Sequence, residues 1–248
     1  MKRIGLLGGM SWQSTAEYYR LINEAVAARL GALHSADLVM VSVDFAQIEA
    51  LQVSGRWDEA GQRLADEARA LERAGADLIV LCTNTMHKVA PAIEAAVSVP
   101  LLHLADATAG AVLSADLTTV GLLGTAFTME QDFYRARLDR HGLTTLIPDA
   151  AGRAEVHRVI YDELCHGVIR DESRRRYLEV AAELVEAGAQ GIILGCTEIE
   201  LLLRPDMAED VGVPLFPTTR IHALAAVDAA VDAAVDAAVD AVVDVGLL

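Results

Sequence analysis

Short apolar runs alternate with amphipathic stretches along this chain. The runs predict strands at 4–7, 38–43, 78–81, 119–123 and 191–194. Between them, apolar side chains recur three or four positions apart, which is typical of one face of a helix. Helices are predicted after a capping box at Ser14–Glu17, from Trp57 to Gly75, from about Thr128, and twice between Arg153 and Ala187. Strands and helices that alternate in this way predict parallel βαβ units and therefore an α/β fold.

One passage of the chain occurs twice. Residues 74–85 read AGADLIVLCTNT and residues 187–198 read AGAQGIILGCTE. When the two passages are aligned, Thr83 corresponds to Cys196 (196 − 83 = 113). The GLLGG at 5–9 is repeated as GLLGT at 121–125 with nearly the same offset. This duplication predicts two pseudo-symmetric α/β domains with mainly parallel sheets and an active site in the interdomain cleft. We assign residues 1–99 plus 215–248 to the first domain and residues 100–214 to the second.

The composition of the chain limits the partners that it is expected to bind and the cellular compartment in which it is expected. The chain has 248 residues, 53% of them hydrophobic, and a formal net charge of −16. Such a charge repels phosphate backbones and anionic lipids, so neither nucleic acid nor a membrane is a predicted partner. The amino-terminal apolar run is too short for a signal peptide, and no run reaches spanning length. Because three cysteines without close pairs fit a reducing compartment, we expect a cytoplasmic protein.

The carboxyl-terminal segment is a Val-Asp-Ala-Ala repeat that begins near Val227. A four-residue period drifts around a helix of 3.6 residues per turn, so its apolar stripe winds around the cylinder. We therefore interpret the start of the repeat as a closing helix and its end as an overhang.

Polar side chains that follow the predicted strands are candidates for chemistry. Cys196 comes directly after a strand and a glycine, and a helix that starts there would favour its thiolate. Neighbouring residues of a strand face opposite sides of the sheet. If Thr83 points into the cleft, Cys82 is therefore expected to point into the core. Neutral hydrogen-bond donors that suit a carboxylate ligand lie at Asn84, Thr85, Thr125, Thr128 and Thr197. Thr128 with Gln131 also fits a helix cap.

Several common chemistries have no signature in this chain. The GLLGG turn is not the G-x-G-x-x-G of dinucleotide sites, and there is no P-loop. The seven histidines show no metal-ligand spacing, and no serine lies in G-x-S-x-G. We therefore predict no metal and no cofactor.

Four segments resemble the aspartate/glutamate racemase family of cofactor-independent amino-acid racemases. They are IGLLGGMSW at 4–12, CTNTMH at 82–87, GT at 124–125 and GCTE at 195–198, and the similarity covers nearly everything before the tail. The resemblance implies two similar α/β domains with the site between them, a small-molecule amino acid as substrate, and a homodimer, which is common among relatives. It implies PLP-independent racemisation of aspartate or glutamate by removal and return of the proton at Cα.

Most members of that family place two cysteines on opposite faces of the substrate. Here the first position is Thr83, a change shared with a subset of bacterial aspartate/glutamate racemases that carry Cys-Thr-Asn-Thr. A threonine hydroxyl is a very weak acid, so it returns a proton more easily than it removes one. We expect Cys196 to deprotonate one enantiomer, which by resemblance is the L form. Thr83, or a water that it holds, would act on the other face.

The resemblance also implies a substrate-binding set. Its members are Asn84, Thr85 and Thr197 for the α-carboxylate, and Met10, Ser11, Gln52 and Thr125 near the substrate. Many relatives carry a lysine for the distal carboxylate in a Glu-Leu-Lys-x-Gly segment. In this chain Cys165 occupies that position, with His166 beside it, so the group that binds the distal carboxylate stays open.

Two other functions stay open as well. A single cysteine also fits a decarboxylase of the arylmalonate type, in which one thiol protonates an enediolate after CO₂ leaves. The matches at 10–12 and 82–87 favour the racemase, and CO₂ release from a malonate would separate the two. A catalytically silent amino-acid-binding protein would instead show ligand-induced stabilisation without exchange at Cα.

Overall fold

The structure is a computed structural model that describes residues 1–31 and 33–245, with the side chains of all these except residue 205 and residues 232–245. The chain divides into two compact units. Unit 1 contains the described residues of Met1–Cys82 and Val89–Leu102 and those from His222 onward. Unit 2 contains Thr83–Lys88 and His103–Ile221.

Unit 1 is built around a four-stranded parallel sheet in the order β2-β1-β3-β4. Its strands are β1 (Ile4–Gly8), β2 (Leu38–Ser42), β3 (Leu78–Leu81) and β4 (Leu101–Leu102). Its helices are α1 (Trp12–Leu30), α2 (Phe45–Val53), α3 (Trp57–Arg73) and α4 (Ala90–Glu94), the last preceded by a 3₁₀ turn at Thr85–Val89. Strand β1 lies in the middle, so every residue of it is buried.

Unit 2 contains a second four-stranded parallel sheet, in the order β6-β5-β7-β8. Its strands are β5 (Thr119–Gly124), β6 (Thr144–Leu146), β7 (Ile192–Gly195) and β8 (Leu215–Pro217). Its α-helices are α5 (Leu104–Ser114), α6 (Ala126–Glu130), α7 (Asp132–Asp139), α8 (Ala150–Asp162), α9 (Asp171–Glu186) and α10 (Ala208–Val211). Turns of 3₁₀ helix lie at Leu164–His166, Thr197–Leu201 and Pro205–Met207. The last helix of the chain, α11 (Thr218–Val245), begins directly after β8.

The two sheets repeat one strand order, which confirms the predicted pair of α/β domains with parallel sheets. The glycines that the two halves share have a packing reason. A Cβ at Gly5 in β1 would lie 2.8 Å from the Cβ of Ala76, and one at Gly121 in β5 would lie 2.7 Å from Cδ1 of Ile192. Both central strands therefore need glycine where neighbouring side chains cross them closely.

After its first turn, helix α11 packs into the core of unit 1. Its small side chains pack with those of α1 and of strands β1 and β3 at spacings of three and four residues: Ala223, Ala226, Val227, Ala230 and Val231. The predicted closing helix is therefore present, and its side-chain burial follows the helical period. The predicted overhang lies outside the described side chains. No helix in the described part of the chain combines the length and apolar character needed to cross a bilayer.

The predicted helix starts are less accurate than the strands. Helix α1 begins at Trp12, because the Oγ of Ser11 accepts the N–H of Ser14 at 3.3 Å and caps it. The predicted capping box at Ser14 is therefore wrong by one turn, and Ser14 instead donates to the carbonyl of Cys82 at 3.3 Å. Helix α2 and the short strands β4, β6 and β8 were not predicted, because their patterns are too brief to show a period.

Candidate active site

The carboxyl ends of β5 and β7 lie side by side in unit 2. Gly124 pairs with Gly195 in the parallel register, so Thr125 and Cys196 each follow a residue of that pair. A Cβ at Gly124 would lie 3.0 Å from the carbonyl oxygen of Gly195, and one at Gly195 would lie 2.9 Å from the carbonyl oxygen of Leu123. Glycine at both strand ends therefore lets the two loops approach closely, at the edge where parallel sheets bind ligands.

Three buried threonines form what we call the hydroxyl triangle. The Oγ1 of Thr85 lies 3.0 Å from that of Thr125 and 3.3 Å from that of Thr128, and the last two oxygens are 3.2 Å apart. Each side chain is at most 7% exposed. The three hydroxyls are partners for one another, and each can turn its proton toward an incoming anion.

The cap of helix α6 is Thr125, whose Oγ1 accepts the N–H of Thr128 at 3.3 Å. The predicted cap made by Thr128 with Gln131 is therefore wrong. Thr128 lies one turn inside the helix, and its hydroxyl points back to the triangle. Gln131 ends the helix and its Oε1 accepts a hydrogen bond of 2.5 Å from Nζ of Lys88. Burial lowers the pKa of that lysine.

Asn84 is held by a chain of two hydrogen bonds. Its Nδ2 donates to the Oγ1 of Thr218 at 3.0 Å, and that hydroxyl donates to the carbonyl of Leu194 in β7 at 2.8 Å. Because the single proton of Thr218 goes to Leu194, the amide must turn its nitrogen to Thr218. The Oδ1 of Asn84 is then left buried with no hydrogen-bond partner among the described residues. A buried acceptor of this kind suits an N–H donor on a ligand.

Cys196 is half-buried and contacts a carboxylate. Its Sγ donates to Oε2 of Glu198 at 3.0 Å. Burial, the charge of Glu198 and the hydrogen bond to it raise the pKa of the Cys196 thiol well above its ordinary value. The expectation of a thiolate favoured by a helix start is therefore wrong for this arrangement. The 3₁₀ turn after Cys196 is short, and a buried site with an acidic neighbour outweighs it.

The neighbouring residue, Thr197, is paired through its hydroxyl with Thr219, at an Oγ1–Oγ1 distance of 2.8 Å. Thr218 and Thr219 directly follow β8 and were not predicted as site residues. The signal was available, since the Val-Pro-Leu at 99–101 is repeated at 213–215 and polar residues at the end of a parallel strand are candidates.

The predicted site residues are divided between the two units. Unit 2 contains Thr83, Asn84, Thr85, Thr125, Cys196 and Thr197, and unit 1 contains Met10, Ser11 and Gln52. Thr83 is 8% exposed, whereas Cys82 before it is fully buried in the core of unit 1. Met10, Ser11 and Gln52 are also buried, and their predicted substrate contacts stay a prediction.

Cys165, the residue that the family resemblance aligns with a lysine, is a second half-buried thiol. Burial, followed by the charge of Glu198, raises the pKa of Cys165 to about 12. A thiol that keeps its proton offers no positive charge to a carboxylate. Among the described residues, no group of three or more histidine, cysteine or acidic side chains is arranged to hold a metal ion.

Comparison with known proteins connects this arrangement to a family. The model of the Asp/Glu/hydantoin racemase family matches residues 7–226. A crystal structure of a candidate Asp/Glu racemase from Yersinia pestis is 54% identical, covers 93% of this chain and 100% of its own, and has a TM-score of 0.87. An aspartate racemase homologue from Pyrococcus horikoshii is 32% identical over 93% of this chain and 99% of its own, with a TM-score of 0.81. The broad-specificity amino-acid racemase RacX of Bacillus subtilis is 25% identical over 81% of this chain and 87% of its own. This chain belongs to the Asp/Glu/hydantoin racemase family.

Proposed function

We propose that this protein is a PLP-independent racemase of acidic amino acids, aspartate or glutamate, that removes and returns the proton at Cα and prefers the L enantiomer. The observation that carries the proposal is one thiol, Cys196, beside a carboxylate at the same strand ends as a cluster of neutral donors. The names of the relatives from Yersinia pestis and Pyrococcus horikoshii supply the acidic substrate class.

The polar groups of unit 2 match the two charges on the substrate's α-carbon. Thr85 and Thr197 are the proposed donors to the α-carboxylate, and the other hydroxyls of the triangle support Thr85. The unpartnered Oδ1 of Asn84 is the proposed acceptor for the α-ammonium. Neutral donors held in place before the reaction also stabilise the enolate oxygens as the Cα proton leaves. Asn84 therefore contributes an acceptor where the sequence predicted a donor to the carboxylate.

The thiol of Cys196 is protonated at rest, and Glu198 is the proposed acceptor of its proton. When the carboxylate takes the proton of Cys196, a thiolate forms close to the substrate, whose ammonium charge offsets it. The C–H bond of the L enantiomer then breaks and an S–H bond forms. On the opposite face, an O–H bond of Thr83 or of a water that it holds breaks and the new C–H bond forms. Glu198 then releases its proton to solvent and solvent returns a proton to that oxygen, so the site is restored and the product is the D enantiomer.

The proposed preference follows from the acidities of the two groups. The reverse direction would require Thr83 or its water to remove a proton, and neither is ionised near neutral pH. Cys196, with an adjacent carboxylate, has a route to its anion. The L enantiomer is therefore the faster substrate if its Cα–H faces the sulfur.

Incubation in D₂O with each enantiomer of aspartate and glutamate tests this function. NMR reports exchange at Cα, and chiral chromatography reports inversion, on dialysed protein without added PLP. We expect exchange and inversion from the L form and much slower exchange from the D form. Equal rates from both would exclude the asymmetric mechanism. Binding of the amino acids without any exchange would instead identify a silent binding protein.

A decarboxylase is the second candidate, because only one thiol lies at the two positions that most racemases fill with cysteine. In that reaction the thiol would give a proton to an enediolate, which suits a Cys196 that keeps its proton. Release of CO₂ from an arylmalonate, without exchange of any amino acid at Cα, would favour it over the racemase.

A further inference from the structure

His87 is a buried histidine that the reaction proposed above does not use. It lies four residues after Thr83, in the segment CTNTMH, and is 2% exposed. Its Nε2 accepts the backbone N–H of Leu104 at 3.1 Å, and its Nδ1 lies 2.7 Å from the carbonyl oxygen of Thr83. The ring therefore connects the start of helix α5 to the backbone of Thr83, and all three residues belong to unit 2.

The two contacts determine which ring nitrogen carries the proton. A backbone N–H is always a donor, so Nε2 of His87 must be the unprotonated acceptor. A carbonyl oxygen is always an acceptor, so Nδ1 must carry the proton and donate to Thr83. The pair of partners selects one neutral tautomer, and a ring protonated on both nitrogens would direct an N–H at the N–H of Leu104.

The hydrogen bond from the N–H of Leu104 holds the ring of His87 at the start of helix α5. The N–H of Leu104 is one of the donors that a helix start leaves unpaired, and the next histidine, His103, accepts the N–H of Ala105 at 3.2 Å. The two imidazole rings pack with centroids 4.6 Å apart at an angle of 61°. Burial lowers the pKa of His103 to about 4, so the ring beside His87 is neutral.

The contact to Thr83 bears on the direction of its side chain. The carbonyl oxygen of Thr83 fixes the peptide plane that joins it to Asn84, and the N–H of His87 donates to the carbonyl of Asn84 at 3.1 Å. Two successive peptide planes are thus held by one residue. If the first is released, the backbone of Thr83 gains freedom, and the direction of its Cα–Cβ bond is no longer set.

We propose that His87 is a positioning residue that holds Thr83 in place for the return of the proton on its face of the substrate. This inference rests on the proposed racemase function. It assigns His87 to one half of the reaction, because its contact is to Thr83 and the proton removed from the L enantiomer goes to Cys196.

Two amide substitutions separate the two contacts of the ring. The amide of asparagine reaches the place of Nδ1, and the longer glutamine reaches the place of Nε2. His87→Asn therefore keeps a donor to Thr83 and loses the acceptor for Leu104. His87→Gln keeps the acceptor for Leu104 and loses the donor to Thr83. Each variant loses one hydrogen bond, so the two form a matched pair for thermal stability.

The readout is the ratio of inversion to exchange with retention, measured on L-substrate in D₂O. Retention occurs when Cys196 removes the proton and returns a deuteron to the same face. We expect His87→Gln to lower the ratio by about 10- to 100-fold, because misplacing a reacting group has effects of that order. His87→Asn should keep the parent's ratio, although both variants have lowered melting temperatures.

The outcomes separate this inference from the proposed function. An unchanged ratio in His87→Gln would assign His87 a structural role only. Parallel losses of activity in both variants at an unchanged ratio would lead to the same conclusion. Either outcome would overturn the inference and leave the proposed racemase function intact. A parent protein that exchanges no proton would overturn the proposed function, and the inference with it. The ¹⁵N spectrum of the His87 ring in the parent gives a test that needs no folded variant. The Nδ1–H tautomer is expected, and the other tautomer or an imidazolium would contradict the proposal.

Discussion

The ends of β3 and β7 occupy equivalent places in the two halves of the duplication, yet they differ in chemistry. After β3, Thr83 is buried and its carbonyl oxygen lies 2.7 Å from Nδ1 of the buried His87. After β7, Cys196 is half-buried and its thiol contacts the carboxylate of Glu198. The first end offers a hydroxyl on a backbone held by a hydrogen bond, and the second offers a thiol with a proton acceptor. The two sheets repeat one strand order, while the side chains that follow β3 and β7 therefore differ in acid strength.

This difference shows why the two halves of a duplicated fold can perform different steps of one reaction. Conversion of the L enantiomer requires one group that removes a proton and another that supplies one, and the two groups exchange these tasks only when the reaction starts from the D enantiomer. In the proposed mechanism Cys196 with Glu198 removes the proton, and Thr83, positioned by His87, or a water that Thr83 holds supplies one.

Replacing the thiol should have the largest effect. Cys196→Ala removes the group that takes the proton, so exchange at Cα from L-substrate should fall by about 10³-fold or more. Exchange is followed by NMR in D₂O, and binding by the shift in melting temperature with added substrate. Binding should persist, because the proposed carboxylate donors are unchanged. Substantial exchange in this variant would exclude Cys196 as the base.

Replacing Thr83 should affect the opposite face. In Thr83→Ala, inversion of L-substrate should fall by about 10²-fold, whereas exchange with retention continues through Cys196. Thr83→Ser keeps the hydroxyl and serves as the control, with inversion close to that of the parent. Thr83→Cys should raise exchange from the D enantiomer toward that from the L enantiomer. An unchanged D-to-L ratio in Thr83→Cys would contradict the explanation of the preference.

Removing the charge of Glu198 should change the acidity of the thiol. The carboxylate raises the pKa of Cys196, so Glu198→Gln should lower it, and alkylation of that cysteine by iodoacetamide should accelerate at a lower pH than in the parent. Turnover should fall, because the proton acceptor is lost. Mass spectrometry of each cysteine peptide gives the rates. Cys82, whose pKa is raised by burial alone, is the internal control. Acceleration of alkylation only at a higher pH than in the parent would contradict the proposed effect of the carboxylate on the thiol.

The smallest effect is expected at the hydroxyl triangle. Thr128→Val keeps the shape of the side chain and removes one hydroxyl, so KM should rise about 10-fold and the free energy of unfolding should fall by about 1 kcal/mol. Thr128→Ser keeps the hydroxyl and should leave KM close to that of the parent. Kinetic assays and denaturant unfolding measure the two quantities. A KM that rises equally in both variants would exclude the hydroxyl as the cause.

Much of the fold was accessible from local pattern. A buried parallel strand is a short apolar run wherever it occurs, so the prediction of 78–81 matches β3. The repeated GLLG passages mark central strands, because only glycine fits where Gly5 and Gly121 are crossed. The helix starts at Ser11 and Thr125 were missed, because two nearby hydroxyls compete for each cap and only the backbone geometry selects one of them.

The duplicated α/β plan and the polar residues that follow its strands could be predicted from the amino-acid sequence, since both depend on short-range pattern. How those residues act depends on contacts that form only in the folded chain. The hydroxyl triangle joins Thr85 to residues 40 and 43 positions away, and Asn84 reaches Thr218 across 134 positions. The acidity of Cys196 was expected with the opposite sign, because burial and the approach of Glu198 are properties of the packed chain. Hydrogen-bond partners and desolvation depend on residues brought together by folding, and no local pattern contains them.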